Sequence, residues 1–111
     1  MFVASDVALQ FVASVRSVVE TVGRRDANLA DQLRRAVTST ALNTAEAGRR
    51  EGRDRCHRAR IAGAECAEAI AALRVAVAWG YVAPHALADA DLVDARALAD
   101  RVGRITYALA R

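Results

Sequence analysis

The sequence predicts an all-α fold, an antiparallel up-down-up-down four-helix bundle, and three observations carry that prediction. Apolar residues recur at alternating steps of three and four along most of the chain, the spacing of one helix face. Hydrophobic residues make up 54% of the chain but aromatic ones only 5%. Alanine supplies much of that apolar fraction, which suits thin, closely approaching helices better than a sheet core of bulky β-branched residues. Short breaks rich in glycine, arginine and acidic residues divide the periodic stretches. At 111 residues the chain suits one compact domain, residues 1–111, with no room for a second.

Each helix has its own evidence. Ala4, Ala8, Phe11, Val15, Val18 and Val22 form the seam of a first helix running from about Asp6 to Gly23. Gly23 suits a left-handed helix end, Arg24 and Arg25 a short polar link, and Asp26 the next N-cap. The second helix carries Leu29, Leu33, Ala36, Thr40 and Ala47, with Val37 and Leu42 beside them, and should end near Ala47, where Gly48 and Gly52 break the pattern. The third starts near Arg53. Its stripe is narrow and small: Ala59, Ala62, Gly63, Cys66, Ala69, Ile70, Leu73, Val77 and Gly80. It is the longest helix, roughly 40 Å at 1.5 Å per residue. Gly80 stops it and Pro84 opens the fourth, which is regular over Ala95, Leu98, Val102, Ile105 and Leu109 but carries Asp91 where the seam wants an apolar side chain.

That topology gathers the chain termini and the 48–52 link at one end, and the 24–26 and 81–84 links at the other. Residues 1–12, 41–62 and 100–111 hold nine arginines against five carboxylates, and the remainder of the chain is slightly acidic. The whole formal excess of +3 therefore sits at one end, where a polyanion would feel it most. There Asp54 is expected to pair with Arg58, and Glu51 with Arg55 if the helix starts early enough. Arg53, His57 and Arg60 share a face of the third helix, and Arg49 and Arg50 lie in the preceding link, so these five are the candidate phosphate contacts, with Arg34 beside them. The competing reading is a solvated surface of arginine–carboxylate pairs. No aromatic is interleaved with these arginines, so base-specific recognition by them is not expected.

Candidate chemistry is sparse. Cys56 and Cys66 stand about 15 Å apart along one helix, too far for a disulfide. Adjacent Cys56 and His57 diverge by about 100° around it, which disfavours a shared metal. Glu46, Glu65 and Glu68 lie on alanine-rich stretches, but neither histidine follows a glutamate at the spacing a di-metal bundle needs. Glu46 and Glu68 are instead expected to accept hydrogen bonds from Asn43, arginine or backbone groups between the second and third helices. His85 reads as an exposed first-turn residue, and Trp79, Tyr81 and Tyr107 as packing anchors. No catalytic residue, metal or cofactor is expected, and the protein is read as not an enzyme. The apolar run Ala69 to Ala83 is interrupted by Arg74 and too short to span a membrane. With no basic stretch at the N-terminus, a cytoplasmic protein without membrane contact is expected. Val12 and Val19, beside the main seam of the first helix, are candidates for contact with another subunit.

Two stretches, Gln32-Leu33-Arg34-Arg35-Ala36-Val37 and Asn43-Thr44-Ala45-Glu46-Ala47-Gly48-Arg49-Arg50, together with Glu68 and Gly80-Tyr81-Val82, resemble the bacterial four helix bundle family. That family includes proteins encoded within intervening sequences of large-subunit ribosomal RNA genes and the accessory variability determinant protein of diversity-generating retroelements. The similarity covers nearly the whole chain. Asn43, Glu46, Glu68, Gly80 and Tyr81 match the family's structural motif. Thr44 stands where isoleucine is usual, Ala47 where glycine is, Ala41 where proline is common, and Arg55 and Arg58 where aromatic or aliphatic residues are frequent. The resemblance implies a homopentameric ring and, from the retroelement relatives, a basic surface that binds nucleic acid and associates with a reverse transcriptase.

The leading expectation is thus a non-enzymatic oligomeric bundle that binds RNA or DNA backbone through its arginine-rich end, as an accessory to a nucleic-acid enzyme. The alternative is a structural or adaptor oligomer serving a protein partner. A third, metal- or carboxylate-dependent catalysis, would need bound metal.

Overall fold

The computed structural model describes residues 4–82 and 102–110. They contain α1 (Ala4–Gly23), α2 (Ala27–Arg49), α3 (Gly52–Ala78) and α4 (102–109), arranged as the expected antiparallel four-helix bundle. Pro84, His85, Asp91, Ala95 and Leu98, and with them the expected start of the fourth helix, lie outside the described residues.

The α1 seam is buried from Ala8 through Phe11, Val15 and Val18 to Val22, and Val7 joins it. In α2, Leu29, Leu33, Ala36, Val37, Thr40 and Ala47 are buried, together with Thr44. Leu42 corrects the expectation: it is 63% exposed, because it sits well around the helix from the line of Thr40, Thr44 and Ala47. The residues that α3 buries are alanines and Cys66, with Leu73 the one larger side chain, so its neighbours come close to its backbone. A Cβ added at Gly63 would lie 3.2 Å from Thr106 Oγ1. At that glycine the Thr106 side chain of α4 packs directly on the α3 backbone.

Asp26 caps α2 as expected: its backbone is extended and its Oδ1 accepts the Leu29 N–H at 2.9 Å. Gly23 does not take the left-handed role foreseen for it. The described glycines with positive φ are Gly52 (58°) and Gly80 (78°). α1 closes instead by donating the Arg25 and Asp26 N–H groups to Val22 O at 2.9 and 2.8 Å. Gly48 likewise stays inside α2, which runs on to Arg49; the chain needs a left-handed residue only at Gly52, where α3 begins. At the far end of α3, Gly80 N–H donates to Val77 O at 2.9 Å and Tyr81 N–H to Ala76 O at 3.0 Å. This bond pair is a Schellman cap, and it requires the left-handed Gly80.

Two contacts fix which links share an end. The Arg25 guanidinium lies 5.8 Å from the Tyr81 ring centroid, so the 24–26 link and the Gly80 turn meet. The approach of Gly63 to Thr106 sets the last turns of α4 beside the first half of α3, at the end that holds the arginines.

Candidate functional site

The candidate site is built where α2 ends and α3 begins. Residues 46–60 hold six arginines against three carboxylates. Arg49 and Arg50 are both engaged by Glu46. Arg50 Nη2 reaches Glu46 Oε2 at 3.3 Å and Arg49 Nη1 reaches Oε1 at 4.0 Å, while Arg50 Nη1 also lies 3.9 Å from Asp54. Arg34 is engaged as well, at 2.6 Å from Asp31, which also takes Arg35 at 2.9 Å.

The two ion pairs expected within α3 do not form. Asp54 turns back to Arg50 because the extended backbone at residue 50 brings that guanidinium across the start of α3. Glu51 is the N-cap residue, also extended, so it lies off the helical face on which an i,i+4 partner for Arg55 would stand. Arg58 is half-buried, and its Nη1 donates to Asn43 Oδ1 at 3.3 Å. Asn43 Nδ2 in turn donates to Ser39 O at 2.9 Å and Ser39 Oγ at 3.1 Å, so the amide has both ends used and ties α2 to α3. Of the two glutamates expected to accept hydrogen bonds here, Glu46 does so from Arg50 Nε and Nη2 at 3.4 and 3.3 Å, and Glu68 does not. Glu46 is held by arginines of its own segment, and Glu68 is exposed, with no ion pair or hydrogen bond among the described residues.

Four cationic or titratable side chains are left over. Arg53, Arg55, His57 and Arg60 are exposed, and none has a carboxylate within ion-pair distance among the described residues. Arg53 and Arg55 occupy the opening of α3, where the unsatisfied N–H groups already carry partial positive charge. The potential there attracts an anion more strongly than the formal count alone suggests. Sequence reasoning missed Arg55 by assigning it to Glu51; the signal that would have found it is the position of Glu51 immediately before a glycine that starts a helix.

The opposite pole is aromatic. Trp79 there is 68% exposed, and Tyr107, on α4 toward the arginine-rich end, is 69% exposed, so neither is the packing anchor expected, whereas Tyr81 is half-buried against the core. Desolvation of its ring, then hydrogen bonding and charge repulsion from the Asp26 carboxylate, hold the Tyr81 phenol above its ordinary value, with Arg25 acting the other way. Among the described residues no three His, Cys, Asp or Glu side chains are grouped to hold a metal ion, and no helix is long and apolar enough to cross a membrane. Neither Cys56 nor Cys66 is in a disulfide.

A model of the 23S rRNA-intervening sequence protein family matches residues 3–107. The chain belongs to that family. A crystal structure of a Bacteroides thetaiotaomicron protein of unknown function, from the S23 ribosomal protein family, is similar with a TM-score of 0.81 at 17% identity. The match covers 98% of this chain and 99% of that one, a likeness of fold. No curated protein matches the chain. In this member of the intervening-sequence family the motif residues fall into distinct places. Asn43 bridges α2 and α3, Glu46 organises the link arginines, and Gly80 and Tyr81 close α3.

Between α1 and α2 lies a groove of about 380 Å³ whose apolar side is Val12, Val15, Val19 and Val37, joined by Arg16 and Glu20. It contains both valines singled out for subunit contact.

Proposed function

We propose that this intervening-sequence family protein is a non-enzymatic bundle that assembles with copies of itself and binds nucleic-acid backbone at its arginine-rich end. The observation that carries this reading is the set of exposed arginines Arg53, Arg55 and Arg60, with His57 beside them, that the described carboxylates leave unneutralised. Arg49, Arg50 and Arg34 form a second tier. Their partnerships are surface ion pairs worth about 0–1 kcal/mol each, so an arriving phosphate displaces them at little cost. The family's description ties its relatives to 23S rRNA-intervening sequences, which supports RNA as the first polymer to test. A bundle of this kind serves an enzyme, such as a reverse transcriptase, by holding its nucleic acid.

A gel-shift titration of the full chain with duplex RNA over a range of salt tests the reading. Log affinity should fall linearly with log salt, and replacing Arg53 and Arg60 by alanine should shallow the slope by about two. Absence of binding at low salt, or affinity indifferent to salt, overturns it and leaves the adaptor reading.

A further inference from the structure

We infer that the pole opposite the arginine-rich end carries a stacking platform for an unpaired nucleobase, formed by the open surface of the Trp79 indole and backed by the Tyr81 ring with the Arg25 guanidinium over it. The platform is held rigidly. The Schellman turn at Gly80 folds residue 81 back, so that the Trp79 and Tyr81 rings stack with centroids 6.3 Å apart and planes 20° from parallel, within the range of an offset aromatic pair. Arg25 packs over the same Tyr81 ring at 5.8 Å. Tyr81 is fixed from beneath by the core. Trp79 therefore has a backed position and still leaves 68% of its surface open.

Charge selects the ligand class. Arg24, Arg25 and Arg74 are exposed and have no ion-pair partner among the described residues. Asp26, the carboxylate at the same turn, is committed to capping α2. A flat π surface at a turn whose arginines have no carboxylate partner among the described residues matches a ligand that is itself flat and anionic, which is a nucleotide in a single strand. An apolar protein anchor would use the indole but desolvate the cations without return. The platform stands roughly 40 Å along α3 from Arg53. It needs none of the arginines at that end, so it does not rest on the function proposed for them.

Trp79 is the chain's one tryptophan, so its emission reports on the platform alone. The full chain is titrated at low salt with single-stranded oligoadenylate of eight nucleotides and with an abasic strand of the same length. The expected result is saturable quenching by the first and none by the second, preserved in the Arg53→Ala plus Arg60→Ala variant. Trp79→Leu should weaken oligoadenylate binding about tenfold, the size of one base–aromatic stack, as read by the anisotropy of a labelled strand. Trp79 is exposed, so an unchanged circular dichroism spectrum is expected of that variant. No quenching, or equal quenching by both strands, overturns the proposal. So does an indole that acrylamide fails to reach in the protein alone, because a second copy of the chain then covers it.

Discussion

Thr40, Thr44 and Thr106 are buried at 0%, 1% and 1% exposure in a core otherwise built of alanine, valine and a few larger side chains. Each hydroxyl returns its proton to the carbonyl four residues earlier: Thr40 to Ala36 O and Thr44 to Thr40 O at 2.7 Å, and Thr106 to Val102 O at 3.0 Å. Those carbonyls already belong to the helix ladder, so the hydroxyl satisfies itself and supports no neighbour. Removing it orphans nothing, and the penalty for an unpaired buried group does not arise. Thr44→Val should accordingly be neutral or stabilising by up to about 1 kcal/mol, since it puts a methyl where a hydroxyl is desolvated. Thr44→Ser removes the packed methyl, keeps the hydroxyl, and should cost about 1 kcal/mol. Urea unfolding of the two variants checks the sign, and a destabilised Thr44→Val would show that the hydroxyl does more than fill space.

At the level of elements, two glycines that look alike in sequence have opposite roles at the α2–α3 junction. Gly48 lies inside α2 with open space around a built Cβ, so Gly48→Ala should stabilise the helix by about 0.5–1 kcal/mol. Gly52 also has nothing within 4 Å of a built Cβ, but its φ is +58°, so Gly52→Ala should destabilise by about 1–2 kcal/mol through backbone strain alone, and Gly52→Asn by less. Thermal melts of the three variants decide it, and a stabilised Gly52→Ala would show that the junction has another low-energy path. The same contrast marks how much was legible in the sequence. Periodicity located the seams of α1, α2 and α3 because burial follows the helical repeat, and Asp26 and Gly80 were readable because a cap residue acts within its own turn. Gly23, Gly48 and Gly52 were not told apart, since all permit a left-handed conformation and tertiary geometry chooses which one uses it. The site was half legible for the same reason. Residue type and spacing found Arg53, His57 and Arg60, but which arginines lose their carboxylates depended on the extended backbone at residues 50 and 51, and Arg55 was missed there. Trp79 was misread because an aromatic after an apolar helix is usually core, whereas its backbone is still helical and sets it one turn beyond the exposed Val75, on the outer face.

For the molecule as a whole, the difficulty with a polyanion-binding reading is quantity. A formal charge of +3 spread over 111 residues gives one copy a weak, salt-sensitive hold on a phosphate backbone. Assembly of several copies is the physical remedy, because each further patch then binds at the high effective concentration set by its neighbours rather than from bulk solution. The groove between α1 and α2 is the surface suited to such assembly. Val12 and Val19 are half-buried in it, above the core residues Val15 and Val37. An aspartate there would leave the seam of α1 in place but bring a desolvated charge into any contact between copies. Val19→Asp should therefore lower the mass found by light scattering to that of one chain while the helical circular dichroism signal persists. In the same variant the dependence of log affinity on log salt should shallow to that of a single patch, with the α3 arginines untouched. Unchanged mass would locate the assembly surface elsewhere. A monomeric variant that keeps its full salt dependence would show that a lone bundle suffices, removing multiplicity from the mechanism.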